Sequence, residues 1–438
     1  MLLIYSGHIS TRLQYIASVI MPTIGITDWQ ITTNKDDYLT HEGAKINYSH
    51  TRTATKECWI IPHTILFENS IAPQSIIVNQ WNQMPVFFES TESASSLPFD
   101  IFAAAFYLIS RYEEYLPHEK DTYGRYCHTQ SLAYKHQVLH LPIVNMWLQQ
   151  LKQRLQQLFG QQVMQPTHFS YIPTYDIDIA YQYQHQPIGK NIGRFLRDFA
   201  LGNLDAATEQ AKVFSNMLAD PFDVFKWLNN LHHQDQLQPI YFVLSAIKKG
   251  LYDKNIPLNN IGMRQLVTQL QSQAQVGIHP SWQSHNHFKI LKEEVNLLQQ
   301  ATQTIVNQSR QHYIQFSLPQ TYEQLILLGI THDYSMGYGS INGFRASFAR
   351  PFQWFNLTVN KPTALTVHPF CYMDANAIFE EKLTPEEAEK QLQHYLHVVQ
   401  QVNGTFITIF HNHFLTSQPD WLPWRMVYQN FLSSLRIE

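Results

Sequence analysis

Asp176 and Asp178 stand one residue apart at the end of the apolar stretch "FSYIPTYDID", which otherwise reads as a buried strand running into a loop. Alternate residues of a strand share a face, so both carboxylates can point into one pocket. Two ionised carboxylates side by side repel, and a cation or a shared proton is needed to hold them there. A divalent metal meets that need: one aspartate ligates it while the other stays free as a base for an attacking water. The competing reading is an Asx-turn or a helix cap, and spacing alone leaves the two level.

Further groups fall at similar places. His279 follows "VGI" and precedes Pro280, which stiffens the backbone beside the imidazole. His285 and His287 lie close behind in a loop-like stretch, His287 reading as solvent-exposed. Asp333 lies in "GITHDYS", His368 follows "LTV", and His411 and His413 sit in "FITIFHNHF". An imidazole at the end of that last run suits proton donation to a leaving group near neutral pH. Arg345 and Arg350 lie in "GFRASFARPFQWF", where a guanidinium could keep a catalytic carboxylate ionised and oriented, Arg350 reading more as a stacked surface arginine. Trp282, Tyr338, Trp354 and Tyr372 near the same ends offer faces for stacking on sugar rings.

The elements that must position these groups are apolar runs alternating with helical patterns from residue 167 onward. The runs are "FSYIPTYD", "QPIYFVLS", "QAQVGIHPS", "HYIQFSLP", "GITHDYSMG", "ALTVHPF" and "GTFITIFHNHF". Such alternation predicts a parallel sheet with helical crossovers, and seven runs suggest a barrel, whose catalytic groups gather at the C-terminal strand ends. The preceding part reads as short strands and turns, then a helix over "DIFAAAFYLISRYEEYL" capped by Asp100, a loop and hairpin, and an amphipathic helix over "IVNMWLQQLKQRLQQLFG" closed by Gly160. With "QQVMQPTHF" as the boundary, the expectation is a smaller α/β domain over 1–165 and an α/β barrel over 166–438.

Composition narrows the function classes. Of 438 residues, 44% are hydrophobic and 15% charged, which is globular rather than disordered. A formal net charge of -4 gives no case for a nucleic-acid partner. Cys58, Cys127 and Cys371 are odd in number and lack CxxC spacing, which fits a reducing compartment. The first residues lack a basic region and a cleavage site, and no run reaches the roughly 18 apolar residues of a transmembrane span. The expected setting is therefore cytoplasmic.

Taken in order, these elements resemble the NodB-type polysaccharide deacetylase family, carbohydrate esterase family 4, over residues 167–438. The resemblance implies a distorted (β/α) barrel that removes acetyl groups from sugars with a divalent metal, commonly zinc, held by one Asp and two His. The family's T-[FY]-D-D motif is similar to "TYDID", which puts Asp176 in the role of base and Asp178, displaced by Ile177, in that of metal ligand. Its H-[ST]-x-x-H motif is similar to "HPSWQ", with His279 as ligand and Gln283 where the second histidine would stand. The third ligand is then sought among His285 and His368, the latter at a separate strand end. The arginine motif R-x-P-[FY] matches at Arg345 or at Arg350, and the terminal L-x-H motif resembles "ITIFH", giving His411 the leaving-group role. Asp333 and Tyr338, in a stretch typical of one subgroup, are expected to line the same cleft, with Trp282 on the substrate. The first half resembles the extra N-terminal domain of that subgroup. The implied function is metal-dependent hydrolysis of an N-acetylated sugar or glycan. The alternatives are a degenerate glycan-binding barrel that has lost its metal, or a related hydrolase of another C–N bond.

Overall fold

The computed structural model describes residues 1–160 and 164–435. The start of the expected boundary segment, residues 161–163, lies outside the described residues.

Two parallel sheets organise the chain. The first contains β1 (Leu2–Ser6), β2 (Trp29–Thr32), β3 (Ala44–Tyr48) and β4 (Cys58–Ile60) in the order β2-β1-β3-β4. Parallel neighbours need a crossover, and the helix Thr11–Thr23 supplies the one between β1 and β2. The sequence reading had only strands and turns here. The helix is nevertheless written in the chain: Ser10 caps it by accepting from the Leu13 N–H, and Leu13, Ile16, Ala17 and Ile20 are buried at helical spacing. A short ribbon of β5 (Asn79–Trp81) and β6 (Met84–Val86) follows. The helix Ile101–Ile109 is buried on every side and capped by Asp100, which accepts from the N–H groups of Phe102 and Ala103. It stops short of the expected "EEYL" because Arg111 turns left-handed at φ 54° and a 3₁₀ turn, Tyr112–Tyr115, takes over.

The second sheet has nine strands: β7 (Ser170–Ile177), β8 (Ile240–Leu244), β9 (Gln275–His279), β10 (Gln308–Ser309), β11 (His332–Asp333), β12 (Phe352–Asn356), β13 (Lys361–Val367), β14 (Tyr372–Met373) and β15 (Thr405–His411). Their order is β12-β13-β11-β10-β9-β8-β7-β15-β14, parallel throughout except for the antiparallel edge strand β12. The fold class is thus mixed α/β, as expected. Among the described residues no ladder joins β12 to β14, so the strands of the expected distorted barrel are not closed by hydrogen bonds into a ring. The interval is crossed by the chain after β11, where Phe370 N–H donates to Met336 O at 3.3 Å and Gly343 N–H to Cys371 O at 2.9 Å. The run "HYIQFSLP" is not a strand: β10 lies just before it, and His312–Ile314 is a 3₁₀ turn.

The two sheets share one apolar core. The Tyr15 hydroxyl donates to Gln353 O at 2.7 Å, and Arg345 forms a buried ion pair with Glu114 at 2.6 Å. Among the described residues no helix is long and apolar enough to cross a membrane.

Candidate metal and catalytic site

Parallel strands place their C-terminal ends along one rim, and register decides which side chains meet there. Asp176 pairs with His411 across β7 and β15, and Leu244 pairs with His279 across β8 and β9. Alternation sends Ile177 into the core and turns Asp176 and Asp178 the other way. His279 Nε2 lies 3.2 Å from Asp178 Oδ1 and 3.6 Å from Asp176 Oδ2. His312 Nε2 and His411 Nε2 approach Asp178 Oδ2 at 3.4 and 3.5 Å.

Each of these groups is held from behind. His279 Nδ1 meets Arg310 O at 2.6 Å. A carbonyl only accepts, so Nδ1 carries a proton and Nε2 is the ring atom turned to the site. His312 Nδ1 meets Asp253 Oδ1 at 3.1 Å, and His411 Nδ1 meets Asp374 Oδ1 at 2.6 Å. Carbonyl and carboxylate partners of this kind fix the rings of metal-ligating histidines. Asp176 Oδ1 accepts from Arg310 Nη1 at 2.9 Å, and that fully buried guanidinium also donates to Thr174 Oγ1 and Tyr334 O.

Asp178 Oδ1 and His279 Nε2 are buried without a hydrogen-bond partner, although they face one another. A carboxylate oxygen and an imidazole nitrogen facing one another at that distance call for a proton or a metal cation between them. Asp178, His279 and His312 each offer one ligand atom, all within 4.8 Å of one another. Two imidazoles and one carboxylate with an open side suit a divalent metal, zinc above all. The residues present therefore fit the group that the resemblance implies.

The electrostatics are consistent with this clustering. Burial would raise the Asp178 carboxyl, but His312, His279 and His411 outweigh it and hold the group well below the usual carboxylate range. Burial would lower His312 and His411, yet the carboxylates of Asp178 and Asp253 lift the first to about 9, and Asp374, with Asp178 and Asp176, lifts the second to about 9. His413, buried beside His411, is pushed down to about 3.

The site opens into a cavity of about 380 Å³. Tyr123, Tyr252 and Tyr313 form one wall, with the Trp282 ring packed among them at 4.3 Å from Tyr252. Met373, Phe379, Phe414 and His413 form another. Tyr123 and Arg125 come from the first half of the chain. Arg125 donates to Tyr313 O at 2.7 Å, and a side chain at Gly339 would collide with its guanidinium.

The structure thus brings together Asp176, Asp178, His279 and His411, with Trp282 packed against the tyrosines of the cavity wall and not itself in the lining. It places other expected site residues elsewhere. Arg345 does not accompany Asp176: its guanidinium is taken up by Glu114 and by Gly337 O, and Arg310 stands by Asp176 instead. Arg350 donates to Asn403 O. His368 is stacked on Tyr334 at 4.2 Å and bonded to His332, outside the cavity lining, because β13 lies three strands from β9. Asp333 is enclosed by Ser309 and Ser335, tying β10 to β11, and Tyr338 is buried against Arg111 and Arg345. Gln283 points away, donating to Asp253 Oδ2 at 3.0 Å and Lys248 O at 2.8 Å. His285 is not part of the metal-ligating group either.

His312, Arg310, Asp253 and Asp374 were not singled out from the sequence. The signal for the first two was the run "SRQHYIQF", with Arg and His two residues apart just past the short β10. Asp253 and Asp374 lie outside apolar runs, and nothing in their spacing marks them.

Residues 2–160 match the family described as "Family of unknown function (DUF7033)". No curated protein matches the chain significantly in sequence. Among solved structures, a candidate polysaccharide deacetylase from Mycobacterium smegmatis aligns at 12% identity and TM-score 0.39, over 62% of this chain and 86% of that one. The polysaccharide deacetylase Bc1974 from Bacillus cereus aligns at 11% identity and TM-score 0.31, over 61% and 87%. Puue allantoinase aligns at 10% identity and TM-score 0.38, over 64% and 89%.

Proposed function

We propose that the chain is a metal-dependent hydrolase of the deacetylase type, removing an acetyl group from an N-acetylated sugar or glycan. In this reading residues 166–438 carry the chemistry on a NodB-like barrel, and the domain of residues 1–165 closes one side of the cleft. The observation that carries it is the pair of buried, unpartnered ligand atoms, Asp178 Oδ1 and His279 Nε2, facing one another beside His312.

Asp178, His279 and His312 would hold a divalent cation, which when bound polarises an acyl carbonyl and lowers the pKa of a water. Asp176 takes the proton of the attacking water as the new bond to the acyl carbon forms, and Arg310, paired with it at 2.9 Å, keeps it correctly turned. His411, fixed through Nδ1 by Asp374, gives its Nε2 proton to the departing nitrogen as the C–N bond breaks. Tyr123, Tyr252 and Tyr313 offer aromatic faces to the sugar, with Trp282 packed behind them.

The test is hydrolysis of N-acetylated oligosaccharides by wild type and Asp176→Asn. Asparagine preserves the shape but cannot take the proton, so turnover should fall by about 10²-fold or more with the thermal midpoint little changed. Equal turnover in the two proteins would remove Asp176 from the reaction.

A further inference from the structure

The hairpin of helices Ile188–Ala200 and Leu204–Phe214, which follows β7, is built inside out. Three of its five buried positions are polar: Gln210 Nε2 donates to Asn191 O at 2.9 Å, Asn191 Nδ2 donates to Tyr183 O, and Asp198 is buried at the turn, leaving only Ala207 and Val213 as buried apolar residues. Its outward positions are apolar. Ile188, Ile192, Leu196, Phe199, Leu201 and Met217 are all exposed, Ile188 and Leu201 by about three quarters of their surface. A helix hairpin of a globular protein ordinarily faces the other way. Contiguous exposed apolar surface of this kind marks a docking face.

The charges beside it identify what docks. Residues 186–218 and the adjoining loop 248–254 hold seven Lys and Arg against four Asp and Glu, on a chain whose formal net charge is -4. Two of the acids are withdrawn, Asp198 against Arg197 and Asp253 behind His312. Lys249 Nζ donates to Gln186 Oε1 at 3.0 Å, which joins the loop to the base of the hairpin, and Lys190, Arg194, Lys249 and Lys254 lie near enough to influence one another. A two-fold contact between copies of the chain would set this cationic patch against itself. An anionic phospholipid surface complements it, because apolar side chains enter the boundary of head groups and acyl chains while Lys and Arg stay at the phosphates.

We propose that the hairpin 188–218, with the basic loop 248–254, docks the protein on anionic phospholipid bilayers. Lys254 also lines the catalytic cavity. Docking therefore brings the cleft mouth next to the bilayer, where a substrate carried on a lipid would lie. The surface does not depend on the chemistry in the cleft.

Co-sedimentation of the full chain with vesicles of phosphatidylcholine alone and of phosphatidylcholine with about a third phosphatidylglycerol tests this. Binding is expected to the anionic vesicles, weakened severalfold when salt rises from about 0.1 to about 0.5 M. The variant Ile192→Ser/Leu196→Ser/Phe199→Ser should lose binding by at least about tenfold. Lys248→Glu/Lys249→Glu, which leaves the helices untouched, should lose the preference for anionic vesicles and guards against misfolding of the first variant. No binding of the folded wild type to anionic vesicles overturns the proposal. A wild-type dimer in light scattering that becomes monomeric in the apolar variant, without vesicle binding, overturns it in favour of a second copy on the same face.

Discussion

Asp253→Asn tests whether His312 is a ligand held from behind by a second carboxylate. His312 Nδ1 lies 3.1 Å from Asp253 Oδ1, and Asp253, only 1% exposed, also accepts from Trp282 N–H at 2.8 Å and from Gln283 Nε2 at 3.0 Å. Asparagine keeps the volume and one accepting oxygen but removes the charge that orients the ring and makes it a better donor to a cation. Loss of such an outer partner weakens metal binding about 10–100-fold, which is about 1.4–2.7 kcal/mol. His312→Ala removes one of three ligand atoms and should abolish stoichiometric binding. The assay is competition against a chromophoric chelator, with metal content by mass spectrometry, on protein purified without chelators or a His-tag. Gln283→His in the His312→Ala background provides the control. Gln283 is turned toward Asp253 and Lys248 O, so a histidine there should not restore the metal. Unchanged affinity in both Asp253→Asn and His312→Ala would refute the ligand set, as would full rescue by Gln283→His.

Arg310→Met leaves the buried Asp176 without its counter-charge and should cost about 3–5 kcal/mol in urea unfolding; a loss under about 1 kcal/mol would contradict the pairing. Asp374→Asn frees the His411 ring and should lower kcat by about 10²-fold or more with KM nearly constant, read by steady-state kinetics. Burial would raise Glu114, but Arg345 and Arg111 hold it down to about 2. Its folded value lies below the ordinary 4.5, so its charge stabilises the fold above that pH, by about 3 kcal/mol, and the contribution fades as pH falls toward about 2. Unfolding free energies from pH 6 down to about 3 should fall less steeply in Glu114→Gln than in wild type, and identical slopes would refute the assignment.

The half of the site carried by long strands was legible in the sequence. β7, β9 and β15 are runs of five to eight residues that carry Asp176, His279 and His411 at or next to their last residue, so the polar group near the end of each run stands out. β10 and β11 are two residues each, too short for any period to show; His312, just past β10, falls inside the expected strand "HYIQFSLP", and Arg310 falls just before it. The third ligand is then expected at His285 or His368, while the arginine is expected at Arg345 or Arg350 from the motif in "GFRASFARPF". His368 and Arg345 are polar groups buried for other reasons, His368 against Tyr334 and Arg345 against Glu114. Burial of a charged or titratable residue, read from a polar letter among apolar ones, does not say which charge it answers.

The same turn explains why the first half of the chain belongs to the site. Immediately after His312, Tyr313 and Ile314 adopt φ of 57° and 54°, a left-handed backbone that is costly for a bulky and a β-branched residue. Such strain persists only where neighbours over-determine it. His312 N–H donates to Pro280 O, and Arg125 reaches from the other half to the Tyr313 carbonyl through the gap left by Gly339. Arg125 is itself fixed by Asp121 at 2.7 Å, in a turn of "DTYGRY" whose Tyr123 forms part of the cleft wall. A segment that contributes no ligand and no proton donor thus helps fix the direction in which the third imidazole points.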